Sequence, residues 1–298
     1  MNALIALGAL IVDQLLGELS RWHPLVGFGR LADRVEGRLN DGRDGKLKGV
    51  VALLITTLPF VLLAGVLEST WGIWVSLVVL YFALGARSLA DHARAVASEL
   101  ERDDMEAARE KVGRMVSRDS TDMDRVSVIR ATIESVLENG LDAIFGALFW
   151  FFIAGAPGVV FYRLVNTLDA MWGYRNERFS AFGWSTAKLD DLLNWIPARL
   201  VAASYALMGN RAQAMDCWRD QAGLLASPNG GPVMTAGAGA LDIELGGAAV
   251  YQGKRVEKPL FGGDNPPDLS DIYRALDLVY KSLLLWLLMA LTWSLLIA

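Results

Sequence analysis

Long apolar runs alternate with charged segments along this chain. Residues 49–67 are apolar without a single charge, and residues 71–86 form a second run with Trp and Tyr where an interface belt would lie. Only residues 68–70 separate the two runs. A membrane-spanning helix needs about 20 mostly apolar residues, so the pattern predicts two spanning helices joined by a tight turn. Residues 282–298 predict a further span, and residues 1–16 predict a retained, partly embedded helix.

A further apolar run, residues 143–165, is interrupted near its middle by the sequence AGAPG at 154–158. Each arm then has about ten residues, or about 15 Å of helix, which is half of a bilayer. Two interpretations remain open, a kinked span and a re-entrant hairpin. The hairpin is favoured because it keeps the flanking polar residues on one face. Residues 195–209, which include Arg199, predict an interfacial or buried helix.

Basic residues indicate the orientation. Arg21, Arg43 and other Lys and Arg residues fill the segment 18–48, and a second basic segment covers residues 87–130, whereas the turn at 68–70 has none. Cytoplasmic loops of membrane proteins carry an excess of Lys and Arg. We therefore expect a multi-pass protein of the bacterial inner membrane, with both basic segments and the catalytic face in the cytoplasm.

These patterns define the expected fold class and domains. We predict a mostly α polytopic integral membrane protein with about four spanning helices, a re-entrant or broken apolar hairpin, and cytoplasmic helical and Gly/Pro-rich loop lobes. The predicted regions are N-terminal membrane helices with a basic loop (1–86), a cytoplasmic helical arm (87–140), a re-entrant or interfacial core (141–226), a Gly/Pro-rich lobe (227–281) and a C-terminal membrane helix (282–298).

Composition narrows the chemistry. The 298 residues are 53% hydrophobic, and a net charge of −5 argues against nucleic acid as a partner. The single cysteine, Cys217, excludes an internal disulfide framework, and two histidines disfavour a His-rich zinc site. His23 is better explained as a helix-start or interface residue than as a catalytic base. The chemistry must therefore depend on carboxylates, amides, arginines and backbone groups.

One candidate site follows a predicted helix. Arg130, Glu134, Glu138 and Asp142 recur at spacings of four and would form one stripe. A solvated helix face stabilised by an Arg130–Glu134 pair explains this pattern as well as a role in binding a divalent cation or phosphate. The position of the stripe favours the functional interpretation, because it runs directly into an apolar segment where unpaired carboxylates would be costly.

Three further polar blocks lie at the edges of apolar runs. In the stretch 166–184, Asn166 and Asp169 share a helix face, and Arg175 follows a glycine that permits a turn. An arginine there suits the recognition of a phosphate or carboxylate. A helix end with aromatic residues at the membrane interface is the alternative. Asp190 and Asn194 are four apart, which alone is a weak signal. The segments 227–232 and 237–247 are Gly-rich and could form anion nests, but a plain loop is favoured and no nucleotide-binding motif occurs.

Taken in order, these blocks resemble the CobD/CbiB family of cobalamin biosynthesis, the adenosylcobinamide-phosphate synthases. The matching blocks are HPLVGFGR (23–30), VSRDSTDMD (116–124), RATIESVLEN (130–139), the run LFWFF to FGW (148–184), KLDDLLNWIPARL (188–200) and SPNGGPVMTAGAGALDIELGG (227–247). The resemblance covers nearly the whole chain and its central block is the most specific.

The resemblance implies an ATP-dependent ligase that joins adenosylcobyric acid to (R)-1-amino-2-propanol, or its O-phosphate, to give adenosylcobinamide or its phosphate. It implies ATP and Mg²⁺, a lipid bilayer and other cobalamin-assembly membrane proteins as partners, and no nucleic acid. A corrinoid carrier or transporter, or a non-catalytic AmpE-like regulatory protein, is the alternative. A carrier is disfavoured because the single broken helix has no matched counterpart.

The resemblance and the residue pattern together give the expected site. The expected catalytic residues are Glu134, Glu138, Asn139, Asp142, Asn166 and Asp169. The expected cofactor-binding residues are Arg118, Arg130, Tyr174, Arg175, Asn176, Asp190, Asn194, Arg199, Ser227, Asn229 and Gly230. The expected magnesium ligands are Glu138, Asp142 and Asp169.

Overall fold

The computed structural model describes residues 1–18, 23–42, 44–251 and 253–296. Arg21, Arg43 and the last two residues of the predicted C-terminal span lie outside this part of the chain. The described residues are mostly helical. The helices are α1 (Asn2–Leu16), α2 (Pro24–Leu39), α3 (Gly45–Trp71), α4 (Ile73–Ala83), α5 (Ala86–Glu101), α6 (Met105–Gly113), α7 (Arg125–Gly140), α8 (Gly146–Trp172), α9 (Trp184–Met208), α10 (Arg211–Gln221), α11 (Gly230–Leu241) and α12 (Leu269–Leu296).

Within the described residues, four helical segments are long and apolar enough to cross a membrane: Gly45–Trp71, Ile73–Glu101, Arg125–Trp172 and Leu269–Leu296. Helix α1 is apolar but shorter. The prediction of a mostly α, multi-pass membrane protein is therefore confirmed.

Two compact units make up the chain. The first unit contains residues 1–85, 142–194 and 290–298, and the second contains residues 86–141 and 195–289.

The broken apolar run of the first unit is a hairpin. Ala154 (φ −137°, ψ 19°) and Gly155 (φ 62°, ψ −149°) interrupt α8, and the chain then runs back along itself. The Tyr162 hydroxyl lies directly against Gly146, although 16 residues of straight helix would separate them by about 24 Å. The fold-back of the hairpin interpretation is confirmed, and a single kinked helix is wrong; its re-entry into a membrane stays a prediction.

A carboxylate in the last turn of α3 holds the hairpin tip. Residues 68–70, predicted as a tight turn, belong to this helix, and the turn lies at Gly72. The backbone N–H of Ala156 donates to Glu68 Oε1 at 2.9 Å, and the Ser76 hydroxyl donates to the same oxygen at 2.5 Å. A negative charge at the start of a helix is favourable because the helix dipole is positive there. The arm beginning here continues to Trp172, so it is longer than the ten residues that the sequence suggested.

The second unit places a small-residue helix in its core. Every residue of α11 is buried, so the expectation of a plain Gly-rich loop for this segment is wrong. The glycines permit close packing: a Cβ added at Gly237 would lie 2.8 Å from the Leu137 side chain, and one added at Gly239 would lie 2.8 Å from the Ala214 backbone.

Four short strands follow α11 and form two antiparallel pairs. Strand β1 (Glu244–Gly246) pairs with β4 (Leu260–Gly262), and strand β2 (Ala249–Tyr251) pairs with β3 (Lys254–Val256). In the second pair, Val250 lies opposite Arg255 and Tyr251 lies opposite Lys254.

Candidate functional site

The predicted site residues fall into both units. Glu134, Glu138 and Asn139 belong to the second unit, whereas Asp142, Asn166 and Asp169 belong to the first. Each unit therefore has its own polar site.

In the first unit, five side chains form a hydrogen-bonded group, here called the Asp–Asn network: Asp142, Tyr162, Asn166, Asp190 and Asn194. Buried Asn194 is its centre. The Tyr162 hydroxyl donates to Asn194 Oδ1 at 2.9 Å, and Asn194 Nδ2 donates to Asp190 Oδ2 at 3.1 Å and to Asp142 Oδ1 at 3.4 Å. Asn166 Nδ2 donates to the other Asp190 oxygen at 3.3 Å. Amides, and not arginines, thus hold the Asp190 carboxylate.

Arg163 adds a cation to the edge of the network. Its guanidinium donates to the Asp142 carbonyl oxygen at 3.1 Å and, more weakly, to Asn166 Oδ1 at 3.5 Å. Its Nε is buried and has no hydrogen-bond partner among the described residues. Both bonds go to neutral oxygens, so no carboxylate neutralises Arg163 through these contacts.

The network has an excess of negative charge. Burial raises the pKa of the Asp190 carboxyl above its ordinary value; the donors Asn166 and Asn194 oppose this effect, and neighbouring Asp191 adds to it. Asp169 interacts electrostatically with Asp190 and Asp191, and within the described part of the chain its carboxylate has no hydrogen-bond or ion-pair partner. Lys188 lies 3.6 Å from Asp191 and offsets part of this charge. Such a group favours the arrival of a proton or a cation.

An apolar cavity of about 440 Å³ lies in the same unit. Its walls come mainly from α2, α3, α4 and the second arm of the hairpin, and they include Phe28, Phe60 and Phe82. Two polar side chains, His23 and Arg163, also line it. His23 Nδ1 accepts from the Leu25 N–H at the start of α2, which confirms the prediction that His23 is a helix-start residue.

The second unit contains a larger cavity, about 790 Å³, here called the polar cavity. Its walls are formed by the loop before α7, the first turns of α7, and the segment from β1 to β3. The charged residues that line it are Arg118, Asp119, Asp122, Asp124, Arg130 and Arg255.

Ion pairs stabilise this cavity. Arg118 donates to Glu134 Oε2 at 2.5 Å, and Glu134 Oε1 accepts from the Gly246 N–H at 2.8 Å. Arg130 pairs with Glu244, so the Arg130–Glu134 pair of the solvated-face alternative is not the pair observed. Both oxygens of Glu134 are engaged within the protein, which favours a positioning role for this carboxylate; its catalytic role stays a prediction.

Another group of predicted residues surrounds the start of α11. The Ser227 hydroxyl accepts from the Gly230 N–H at 2.9 Å, and a Cβ on Gly230 would lie 2.9 Å from Glu138 Oε1. Arg199 donates to Asn229 Oδ1 at 2.9 Å and to the Pro228 carbonyl oxygen at 3.1 Å. Arg199 thereby fixes the loop before α11.

Asn139 lies one residue after Glu138 and bonds only locally in the contacts observed. Its Nδ2 donates to the Ser135 carbonyl and hydroxyl oxygens, each at 2.9 Å. Tyr174, Arg175 and Asn176 lie elsewhere, on an exposed turn of the first unit. Asn176 Oδ1 accepts from the Phe179 N–H at 3.0 Å. These three residues line neither cavity, and their predicted ligand roles are not supported by a contact with the network.

The structure does not assemble the predicted magnesium ligands. Within the described residues, no group of three or more His, Cys, Asp or Glu side chains could hold a metal ion. Glu138 belongs to the second unit, while Asp142 and Asp169 belong to the first. Residues 141–145 form a π-helix, so the α-helical spacing that would place Asp142 on the Glu138 stripe ends at Gly140.

Several residues at these sites were missed in the predicted set. Tyr162 and Arg163 precede Asn166 by one helical turn, and helical spacing already indicates that they share its face, although neither is in the predicted set. Glu244 and Arg255 lie on short strands of a Gly-rich segment. No local signal in the sequence connects them to Arg130 or Arg118.

Comparison with known proteins gives a consistent result. Residues 6–279 match the family described as CobD/Cbib protein. The cobalamin biosynthesis protein CobD of Stutzerimonas stutzeri (strain A1501) is 55% identical over 292 residues, covering 97% of this chain and 96% of that protein. CobD of Chromobacterium violaceum is 51% identical over 298 residues, with the same coverage, and CobD of Mycobacterium tuberculosis (strain H37Rv) is 36% identical over 282 residues, covering 91% and 90%.

No solved structure matches the chain. The family match extends over most of the sequence and includes both the Asp–Asn network and the polar cavity. The chain therefore belongs to the CobD/CbiB family, whose curated relatives are named cobalamin biosynthesis proteins.

Proposed function

We propose that this protein, which acts in cobalamin biosynthesis, is an ATP-dependent ligase of the bacterial inner membrane. It joins the propionate carboxylate of adenosylcobyric acid to the amine of (R)-1-amino-2-propanol or its O-phosphate. The product is adenosylcobinamide or its phosphate, and the reaction takes place on the cytoplasmic side.

One observation carries this proposal: Arg163 lines the apolar cavity and also contacts the Asp–Asn network. A corrinoid combines apolar ring edges with carboxylate and amide groups. The apolar walls suit a ring edge, and a guanidinium is the preferred partner of a carboxylate. Because Arg163 donates only to neutral oxygens in the contacts observed, it can meet the substrate carboxylate without breaking a salt bridge.

The network supplies the groups that the amine needs. An alkylammonium ion must lose a proton before its nitrogen can attack a carboxyl carbon. Asp190 can receive that proton better than an ordinary aspartate, because burial raises its pKa above the ordinary value. Asp169, with no partner among the described residues, can hold the ammonium beforehand.

The proposed reaction also requires a place in the protein for ATP and Mg²⁺. A carboxylate does not form an amide in neutral water unless it is activated, and ATP with Mg²⁺ supplies that activation. The polar cavity fits an anionic ligand, because Arg118 and Arg130 line it and the Nε of Arg130 is buried without a partner among the described residues. The predicted magnesium trio does not fit, but Mg²⁺ commonly takes one or two carboxylates together with phosphate oxygens.

Turnover by the purified protein tests the proposal. The full chain in detergent would be supplied with MgATP, adenosylcobyric acid and aminopropanol phosphate, together and singly. We expect phosphate release only with the corrinoid and amine present, and a corrinoid product heavier by the condensed amine. Corrinoid binding by folded protein without any product would contradict the ligase and favour a carrier.

A pair of variants tests the substrate site. We expect Arg163→Gln to raise the KM for the corrinoid by tenfold or more, because a charge-assisted hydrogen bond contributes about 1.5–3 kcal/mol. Arg175→Gln removes an exposed arginine of the same unit that does not line the apolar cavity. If only Arg175→Gln raised the KM for the corrinoid, the carboxylate site would lie at the exposed turn, and the role of Arg163 would be refuted.

A further inference from the structure

The three arginines of the polar cavity come from three different elements of the second unit. Arg118 lies in the loop before α7, Arg130 lies within α7 and Arg255 lies on strand β3. They therefore meet around one space through tertiary structure. The cavity volume of about 790 Å³ lies within the usual range of about 300–1,000 Å³ for ligand sites.

The charge of the lining is mixed and not simply basic. Asp119, Asp122 and Asp124 face the same cavity as the arginines. The Asp124 carboxylate is fixed at the start of α7, where its Oδ1 accepts from the Ser127 N–H at 2.7 Å. A bare polyanion would be repelled by these aspartates. A polyanion with a bound divalent cation would meet both signs of charge.

The arginines retain donors for such a ligand. A guanidinium has five N–H donors, and the observed pairs of Arg118 with Glu134 and of Arg130 with Glu244 leave most of them unused. Arg255 pairs with Glu257 near the surface at 2.8 Å. The carboxylates therefore orient the arginines while N–H groups remain available.

One wall of the cavity is bare backbone. Gly246 and Gly247 have φ values of 83° and 89°, which L side chains rarely adopt. A Cβ at Gly247 would lie 3.5 Å from Arg130 Nη1. A Cβ at Gly246 would instead collide with the Pro259 carbonyl oxygen at 2.2 Å, so Gly247 is the glycine that allows a ligand to approach the backbone beside Arg130.

We infer that the polar cavity is the nucleotide site of this protein: it binds a magnesium-complexed nucleoside triphosphate, with Arg255 as a phosphate-binding residue. This inference rests on the proposed function, which requires ATP but leaves its location open. The arginines bind phosphate oxygens, which guanidinium groups match well. Asp122 and Asp124 face the divalent cation.

Strand β3 provides a matched control. Successive side chains of a strand point to opposite faces, and Arg255 lines the cavity whereas its neighbour Lys254 does not. Both residues are exposed, and each replacement by Ala removes one positive charge from the same short strand. A general electrostatic effect would therefore be the same for both variants.

The experiment compares the full-length wild type, Arg255→Ala and Lys254→Ala in detergent. The dissociation constant of a magnesium complex of non-hydrolysable ATP is measured by equilibrium dialysis, and the KM values for ATP and aminopropanol phosphate are measured during turnover. We expect Arg255→Ala to weaken nucleotide binding and raise the KM for ATP about tenfold or more. Lys254→Ala should stay within about twofold of the wild type.

Each other outcome is decisive. Equal nucleotide affinity in the two variants would overturn the inference while leaving the ligase intact. A raised KM for aminopropanol phosphate alone would assign Arg255 to the amine substrate and also overturn it. Nucleotide binding that depends on Arg255, without any product from the wild type, would support the site and refute the ligase. Equal unfolding temperatures would show that both variants are folded.

Discussion

Hydrogen bonds from asparagine amides hold the polar side chains of the first-unit site, whereas ion pairs hold those of the second-unit site. In the Asp–Asn network, Asn194 and Asn166 donate to the Asp190 carboxylate, so its negative charge is solvated but not neutralised. In the polar cavity, Arg118 and Arg130 each have a glutamate partner. The first site therefore keeps a carboxylate without a cationic partner in these contacts, and the second keeps arginines that are paired with glutamates and retain spare N–H donors.

This difference suggests a division of chemistry. An amide-held carboxylate remains a proton acceptor, as deprotonation of an amine requires. An arginine held by a glutamate has a fixed orientation, as recognition of phosphate requires.

Removal of the Glu134 charge should have the largest effect. The side chains of Arg118 and Glu134 are only 9% and 10% exposed, so Glu134→Gln leaves an almost buried guanidinium without its counterion. We expect a loss of about 3–5 kcal/mol in the free energy of unfolding, measured by SDS titration in mixed micelles. Glu110→Gln, in a pair with exposed Arg114, should cost less than about 0.5 kcal/mol. Equal losses would show that the Arg118–Glu134 pair does not hold the second site.

The hairpin glycine of the first unit should come next. At Gly155, φ is 62° and ψ is −149°, a conformation almost restricted to glycine, and an added Cβ would lie 2.8 Å from the Glu68 carboxylate. Gly155→Ala should cost about 3 kcal/mol in the same unfolding assay. Gly37→Ala on α2 has open space around the added Cβ and should be neutral or slightly stabilising. A neutral Gly155→Ala would refute the folded-back geometry.

Removal of the central amide should have a smaller effect on stability and a larger one on turnover. Asn194→Ala deletes three observed hydrogen bonds and should cost about 2 kcal/mol. We expect kcat per folded molecule to fall at least tenfold, because Asp190 loses a donor that orients it. Asn40→Ala removes contacts with Glu36 and the Arg178 carbonyl outside the network and should keep kcat. Equal kcat in both variants would contradict a role for the network in the reaction.

The smallest effect concerns pH, and it separates two carboxylates of the first unit. Burial raises the pKa of Asp190, so its contribution to stability is complete below about pH 4 and is lost as pH rises through the raised value. The hydrogen bond from Arg178 lowers the pKa of Glu36, so its contribution is present above about pH 4.3 and is lost as pH falls through the lowered value.

As pH rises from 4 to 8, the wild type should lose stability relative to Asp190→Asn. Relative to Glu36→Gln, the wild type should gain stability as pH rises toward 5 from the lowest pH at which the protein stays folded. Unfolding midpoints of the wild type and both variants, measured across this pH range, would test these two opposite trends. Parallel curves for the wild type and Asp190→Asn would show that Asp190 titrates normally.

Local patterns in the sequence were enough to locate the apolar helices and the hairpin. Apolar runs predicted α3 and α12, and the AGAPG break predicted the fold-back after Ile153, because spanning length and helix-breaking residues are local properties. The Gly-rich segment 230–241 was misjudged as a loop. Its helix is stabilised by burial against α7 and α10, which propensity does not report.

Local sequence patterns were sufficient to identify the mostly α membrane fold, the polar blocks at the edges of its apolar runs and the family to which the chain belongs. Tertiary structure alone decided the partners of those polar groups. Arg130 pairs with Glu244 and not with Glu134 four residues away, and Asn166 reaches Asp190 across 24 residues of chain. Ion pairs and hydrogen bonds from side-chain amides act over a few ångströms in any direction. The partners of these groups therefore depend on how the helices pack.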